Sequence, residues 1–243
     1  MVNVKGKWAL ITGASRGLGY QAALFMASEG CNLILHSRNI EHCKKVEEEL
    51  KAFGVEVVLV EAEMSEDSSV RTMLAGIDQM GMSVDFVFNN AAVQIAYRND
   101  YFQTPIEDFS ISFRINVIAV ATICYHFLPK MIEHRFGRII NTTSGIKNEP
   151  QQAGYSASKA ALEKITKDLG TVIEGTDVMM NLVDPGWCRT DLGGQQAPNS
   201  PQSTIPGIVM GAFMQDKKSG RIFEAQDFVG MELKEAIRKA EDM

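Results

Sequence analysis

Thr12-Gly13-Ala14-Ser15-Arg16-Gly17-Leu18-Gly19 follows an apolar run at residues 7–11 and passes into a helical stretch at 17–29. Glycines let a backbone turn tightly and approach a pyrophosphate closely. The N-terminus of the following helix offers free N–H groups and the positive end of its dipole. Strand, glycine turn and helix together predict a dinucleotide site, with Gly13, Ser15, Arg16, Gly17, Leu18 and Gly19 around the phosphates.

The same unit repeats outward along the chain. Runs rich in Val, Ile, Leu and Phe at 7–11, 32–36, 56–60, 84–88, 138–142, 178–183 and 221–223 alternate with helical stretches at 17–29, 41–53, 68–80, 105–134 and 155–173. Unbroken apolar strands are covered on both faces. The expectation is therefore one α/β domain over 1–243, a doubly wound Rossmann-type parallel sheet of about seven strands with helices on both faces. Thr104, Pro105 and Glu107 read as the N-cap, first-position proline and capping-box glutamate of the long helix. Residues 193–207 carry three prolines and three glycines, so a substrate lid is expected across 191–212.

Composition excludes several classes. Hydrophobic residues at 45% and charged residues at 22% match ordinary globular chains, not disordered or collagen-like ones. No run of about 18 uninterrupted apolar residues occurs, and the start lacks the organisation of a signal peptide, so a cytoplasmic location without a membrane partner is expected. Cys31, Cys43, Cys124 and Cys188 are scattered, which argues against a metal or disulfide framework. A net charge of −6 with dispersed cations gives no stripe for nucleic acid. Small-molecule chemistry is what remains.

Tyr155-Ser156-Ala157-Ser158-Lys159 places a phenol and an amine four residues apart, on one face of a helix. A free phenol has a pKa of about 10, too high for efficient proton exchange at neutral pH. An ammonium about 4 Å away, at an effective dielectric of about 20, supplies about 4 kcal/mol, enough to lower it by about three units. The pair reads as a proton donor and its electrostatic partner.

The glycine spacing G-x-x-x-G-x-G, with Tyr-x-x-x-Lys downstream, resembles the short-chain dehydrogenase/reductase family over nearly the whole chain. That resemblance implies hydride transfer between a nicotinamide and a carbonyl/alcohol pair, with Tyr155 protonating the carbonyl oxygen and Lys159 holding the nicotinamide ribose. Asn89-Asn90-Ala91-Ala92 is similar to the family's N-N-A-G, with Ala92 in place of glycine. This puts Asn90, Ala91 and Ala92 beside the adenosine, together with Glu63 and Met64 after the third strand. Ser144 resembles the serine that binds the substrate oxygen. Counting forward from 137–140 favours Ser144; counting back from Tyr155 favours Thr142; the strand register selects Ser144. Asn116 resembles the fourth catalytic residue, which kinks its helix and anchors a water leading from the lysine. Asp184-Pro185-Gly186-Trp187-Cys188-Arg189-Thr190 is similar to P-G-x-x-x-T, so Pro185, Gly186, Trp187 and Thr190 should grip the carboxamide.

Folds of this kind that prefer NAD(H) place a carboxylate at the end of the second strand, where it would repel a 2′-phosphate. Here the strand runs into Ser37 and Arg38, with Ser37 at the acidic position by family alignment. Arg38, with Arg16 on the other side, is suited to pair with a phosphate. NADP(H) is the expected cofactor. The rival from another class is a non-catalytic NADP(H)-binding regulator or sensor. Relatives assemble through the helices at 105–134 and 155–173, which implies a homodimer or homotetramer. Substrate identity rests on loops, where Arg98 and Lys147 are candidates for an anionic group.

Overall fold

Each apolar run becomes a strand: β1 (Trp8–Ile11), β2 (Asn32–Ser37), β3 (Val57–Glu61), β4 (Val84–Asn89), β5 (Gly137–Thr142), β6 (Val178–Asp184) and β7 (Ile222–Glu224). The computed structural model describes all 243 residues. The strands form a single seven-stranded sheet in the order β3-β2-β1-β4-β5-β6-β7, and every pairing is parallel. The chain runs outward from β1 to β3, then returns to lay β4 on the other side of β1. That reversal opens a crevice at the C-terminal ends of β1 and β4, where doubly wound sheets bind ligands.

Two helical layers cover the sheet. Alternate strand residues such as Ala9, Ile11, Leu33, Leu35, Phe86 and Phe88 pack toward α1 (Gly17–Ser28), α2 (Lys44–Lys51) and the C-terminal helix α7 (Leu233–Glu241). Leu10, Ile34, Val87, Ile139, Met180 and Leu182 point the other way. They pack toward α3 (Asp67–Gln79), α5 (Val120–His134) and α6 (Ala153–Ile173). α4 (Ile106–Phe113) precedes α5 and lies against α6.

Three local expectations change. Thr104 does not cap: its hydroxyl donates to the Tyr101 carbonyl at 2.8 Å, and extended Pro105 (φ −61°, ψ 139°) is the residue before α4. The expected helix at 105–134 contains a π-helical turn, Arg114–Ala119, between α4 and α5. The segment 191–212 is not a free lid along its length. Asn199 exchanges backbone bonds with Trp187 and Arg189, Thr204 is buried, and residues 208–212 belong to the core. The apolar side chains Ile208, Val209, Met210 and Ala212 gain more from burial than a loop gains from freedom. The stretch near 191–196 is held by hydrogen bonds of Gly193 and Gly194 to Thr190 and of Trp187 to Gly193 instead of by core packing.

Candidate active site

The glycine turn closes the end of β1 against β4. Gly13 and Gly17 have φ of +65° and +58°, in the left-handed region that L side chains disfavour. A methyl group built on Gly19 would lie 2.3 Å from the Gly13 carbonyl oxygen. The turn is stapled from below. Thr12 Oγ1 accepts the N–H groups of Asn90 and Ala91 at 3.0 Å each, and the Asn90 amide donates to the Thr12 and Gly13 carbonyls at 3.3 and 3.4 Å. Ala92 has no positive φ, so its methyl is accommodated without backbone strain. The first-turn N–H groups of α1 have no intrahelical partners. A glycine cradle that no Cβ could enter, backed by such donors, fits a dinucleotide pyrophosphate.

His36, at the end of β2, is buried and joins this support. Gly13 N–H donates to Nδ1 at 3.2 Å, and Nε2 lies 3.1 Å from the Ala62 carbonyl. The two contacts define one neutral tautomer, with the proton on Nε2. Burial pushes the imidazole pKa down to about 4.

At the adenosine end the predicted residues diverge. Ser37 is buried and its hydroxyl turns back to the Asn39 carbonyl at 2.7 Å. Arg38 is exposed. Arg16 is also exposed, and its guanidinium lies 3.0 Å from Asp191 instead of reaching toward Arg38. Glu63 is occupied by Ser65, whose N–H and hydroxyl it accepts at 3.1 and 3.0 Å. The Met64 side chain is buried in the core beneath α3.

The proton-transfer group lies on α6 and the neighbouring strand ends. Tyr155 is buried near the start of α6, and Lys159 follows one turn later. Lys159 Nζ donates to the Thr142 carbonyl at 2.8 Å and lies 5.8 Å from the centre of the Tyr155 ring. Ser144 lies close enough to Tyr155 to pull its phenol pKa down against burial, and its Oγ accepts the Ile146 N–H at 3.4 Å. Thr142 offers Lys159 its backbone carbonyl, and Thr143 donates to Glu163 at 2.9 Å. Asn116 is fully buried in the π turn. Its amide spans Val93, accepting that residue's N–H and donating to its carbonyl at 2.9 Å each, and it donates to Ser158 at 2.9 Å. The irregular helix thus fastens the loop after β4 to α6.

The expected lowering of the phenol pKa is absent. Burial raises Tyr155 above its ordinary value, Ser144 opposes this, and Asp184 adds to the rise. Lys159 is itself desolvated, which pushes it down to about 8, with Asp184 opposing. Desolvation of both partners outweighs their mutual field. At neutral pH both hold their protons.

The turn after β6 faces the glycine cradle. Gly186 has φ +71° and its N–H donates to Asp184 Oδ1 at 2.8 Å, while Gln226 Nε2 donates to the Pro185 carbonyl at 2.8 Å. Exposed Trp187 donates through its ring N–H to the Gly193 carbonyl at 2.7 Å. The Thr190 hydroxyl accepts Gly193 N–H at 3.0 Å, and its methyl would meet a Cβ on Gly17 at 3.2 Å. Arg98 is bound bidentately by Asp108, at 2.7 and 3.0 Å, and is not available to an anion. The sequence reading missed Thr12, His36 and Asp184. Their one signal was a polar residue at the C-terminal end of an apolar strand, where strand residues meet the crevice.

The family model for short chain dehydrogenases matches residues 7–201. Oxidoreductase UcpA of Salmonella typhimurium is 31% identical over 212 residues, 84% of this chain and 80% of that protein. The 3-oxoacyl-acyl-carrier-protein reductase FabG of Aquifex aeolicus is 29% identical over 216 residues, 87% and 86%. The crystal structure of a metagenomic short-chain oxidoreductase in complex with NADP superimposes with a TM-score of 0.78 at 26% identity, covering 91% of this chain and 97% of that one. This chain is an oxidoreductase that belongs to the short-chain dehydrogenase family.

Proposed function

We propose that this chain is an NADP(H)-dependent reductase of ketones or aldehydes, running the reverse alcohol oxidation at higher pH. The observation that carries the reading is the convergence of Tyr155, Lys159, Ser144 and Asn116 beside a glycine cradle. Gly13 to Gly19, Asn90, and the Pro185–Thr190 turn would hold the dinucleotide, whose nicotinamide supplies or takes up the hydride. Ser144 binds the substrate oxygen and aligns it with Tyr155, which donates the proton. Lys159, cationic at neutral pH, stabilises the phenolate left behind and would hold the nicotinamide ribose. Asn116 fixes the helix that presents both. A regulator would have no use for a buried ammonium at this position, since burial costs stability.

The cofactor preference rests on Ser37 and Arg38, because no carboxylate ends β2. The NADP complex of the metagenomic relative supports the same choice. Arg16 contributes only if it leaves Asp191. One charged hydrogen bond is worth about 1.5–3 kcal/mol, so NADPH should exceed NADH by about tenfold or more. The test is kcat/KM with each cofactor against ketones, 3-oxoacyl thioesters and sugars, using the parent and Ser37→Asp with Arg38→Ile. The double variant should turn toward NADH; a parent that prefers NADH refutes the reading of β2.

Assembly as a homodimer or homotetramer belongs to the same proposal. Ile118 in the π turn and Tyr125 on α5 are exposed along a groove of about 690 Å³, and Val172 is exposed farther along α6. The four unpaired cysteines suit the cytoplasm.

A further inference from the structure

Asp184 is the last residue of β6, buried, and in register with Glu224 on β7. Its Oδ1 accepts Gly186 N–H at 2.8 Å and so shapes the turn facing the cradle. Its Oδ2 lies under the neighbouring loop, where a methyl on Gly145 would come within 2.5 Å of it. One carboxylate therefore spans the segment that carries Ser144 and the turn that carries Gly186. No cation pairs with it directly. The titratable groups its charge acts on are Tyr155 and Lys159 from α6, Glu224 from β7 and Cys188 from the turn, while Asp227 from the segment after β7 and Lys147 from the loop after β5 act on Glu224.

We propose that Asp184 is a positioning residue of the reaction, holding the Pro185–Gly186 turn and supplying the negative charge that the Tyr155–Lys159 pair faces. This rests on the reductase reading above. A buried anion without a direct partner is costly, and two features account for its presence. Its field opposes the desolvation that lowers Lys159 and adds to the burial that raises the phenol of Tyr155. Both protons are needed when a carbonyl is to be reduced. Its hydrogen bond to Gly186 fixes a glycine in the left-handed region, which otherwise has many conformations open to it. Glu224, opposite Asp184 in the β6–β7 register and exposed, is raised first by its partial burial and then by the Asp184 charge.

Asp184→Asn removes the charge and keeps an acceptor for Gly186; Asp184→Ala removes both. Three readouts separate the roles: NADPH affinity by fluorescence titration, Tyr155 ionisation from the ultraviolet difference between each form and its Tyr155→Phe counterpart, and the pH profile of reduction. In Asp184→Asn, Tyr155 should ionise, and the high-pH fall of kcat/KM should occur, about one pH unit lower, with NADPH affinity within about twofold of the parent. In Asp184→Ala the same displacement should accompany NADPH binding weaker by about threefold to tenfold. An Asp184→Asn profile that coincides with the parent overturns the electrostatic role, and equal NADPH affinity in the two variants overturns the turn-holding role. If Tyr155→Phe alone turns over as fast as the parent, the reductase reading itself fails; if it is inactive while Asp184→Asn is unshifted, only the role of Asp184 fails.

Discussion

His36→Asn tests how the cofactor turn is held. In the parent the imidazole accepts the Gly13 N–H and is buried, with its pKa lowered to about 4 from 6.5. A base whose folded pKa is depressed binds fewer protons folded than unfolded between the two values, so stability falls as pH drops through that window and is fully retained above it. Moving from about pH 7.5 to about pH 4.5 should remove about 2.5 kcal/mol through this group alone. Protonation would also set an Nδ1–H against the Gly13 N–H and release the turn. Asparagine offers a carbonyl to Gly13 but does not titrate. Urea unfolding of parent and variant at both pH values isolates the contribution, since other carboxylates titrate alike in both. The parent should lose about 2.5 kcal/mol more than His36→Asn on acidification. A difference below about 1 kcal/mol, or one of opposite sign, refutes the burial argument.

Gly19→Ala sets a methyl 2.3 Å from the Gly13 carbonyl and 2.7 Å from the Asn90 amide. It should weaken NADPH about tenfold to a hundredfold in a fluorescence titration. Gly76→Ala, in α3 with nothing near its Cβ, should bind normally and gain about 0.5–1 kcal/mol in urea; equal NADPH affinity in the two would contradict the cradle. Lys159→Met removes an ammonium whose pKa burial lowers to about 8 from 10.5. That cost is present below the folded value and vanishes above the unfolded one, so the variant should be inactive yet more stable at neutral pH by about 1–2 kcal/mol, after loss of the bond to Thr142. Destabilisation by more than about 1 kcal/mol would show that the Thr142 hydrogen bond outweighs desolvation.

The sheet was legible because its strands are buried on both faces and read as unbroken apolar runs, while longer helical stretches separate them. The glycine turn and the Tyr155–Lys159 pair were legible because their function needs fixed local spacing. What was not legible depends on register between distant segments. His36 matters only because β2 brings it under Gly13, and Asp184 only because the β5–β6 register sets it against Gly145. Thr104 looked like a cap, but a carbonyl three residues back captured its hydroxyl. Arg98 and Arg16 looked free, yet each had a carboxylate brought to it by the fold. The phenol was expected to be acidified by its lysine, which holds for a solvated pair; in a buried one, desolvation of each group dominates.

The central claim is that Tyr155 is the proton donor of a nicotinamide-dependent reductase, and one comparison tests it most directly. Parent and Tyr155→Phe are assayed side by side for NADPH consumption with the best carbonyl substrate of the panel, and for NADPH affinity in its absence. Phenylalanine keeps the ring in its buried place and removes only the hydroxyl. Loss of a general acid should lower kcat by about 100- to 10,000-fold while NADPH affinity stays within about twofold. A variant that keeps more than about a tenth of the parental rate, with saturating cofactor, would contradict the assignment.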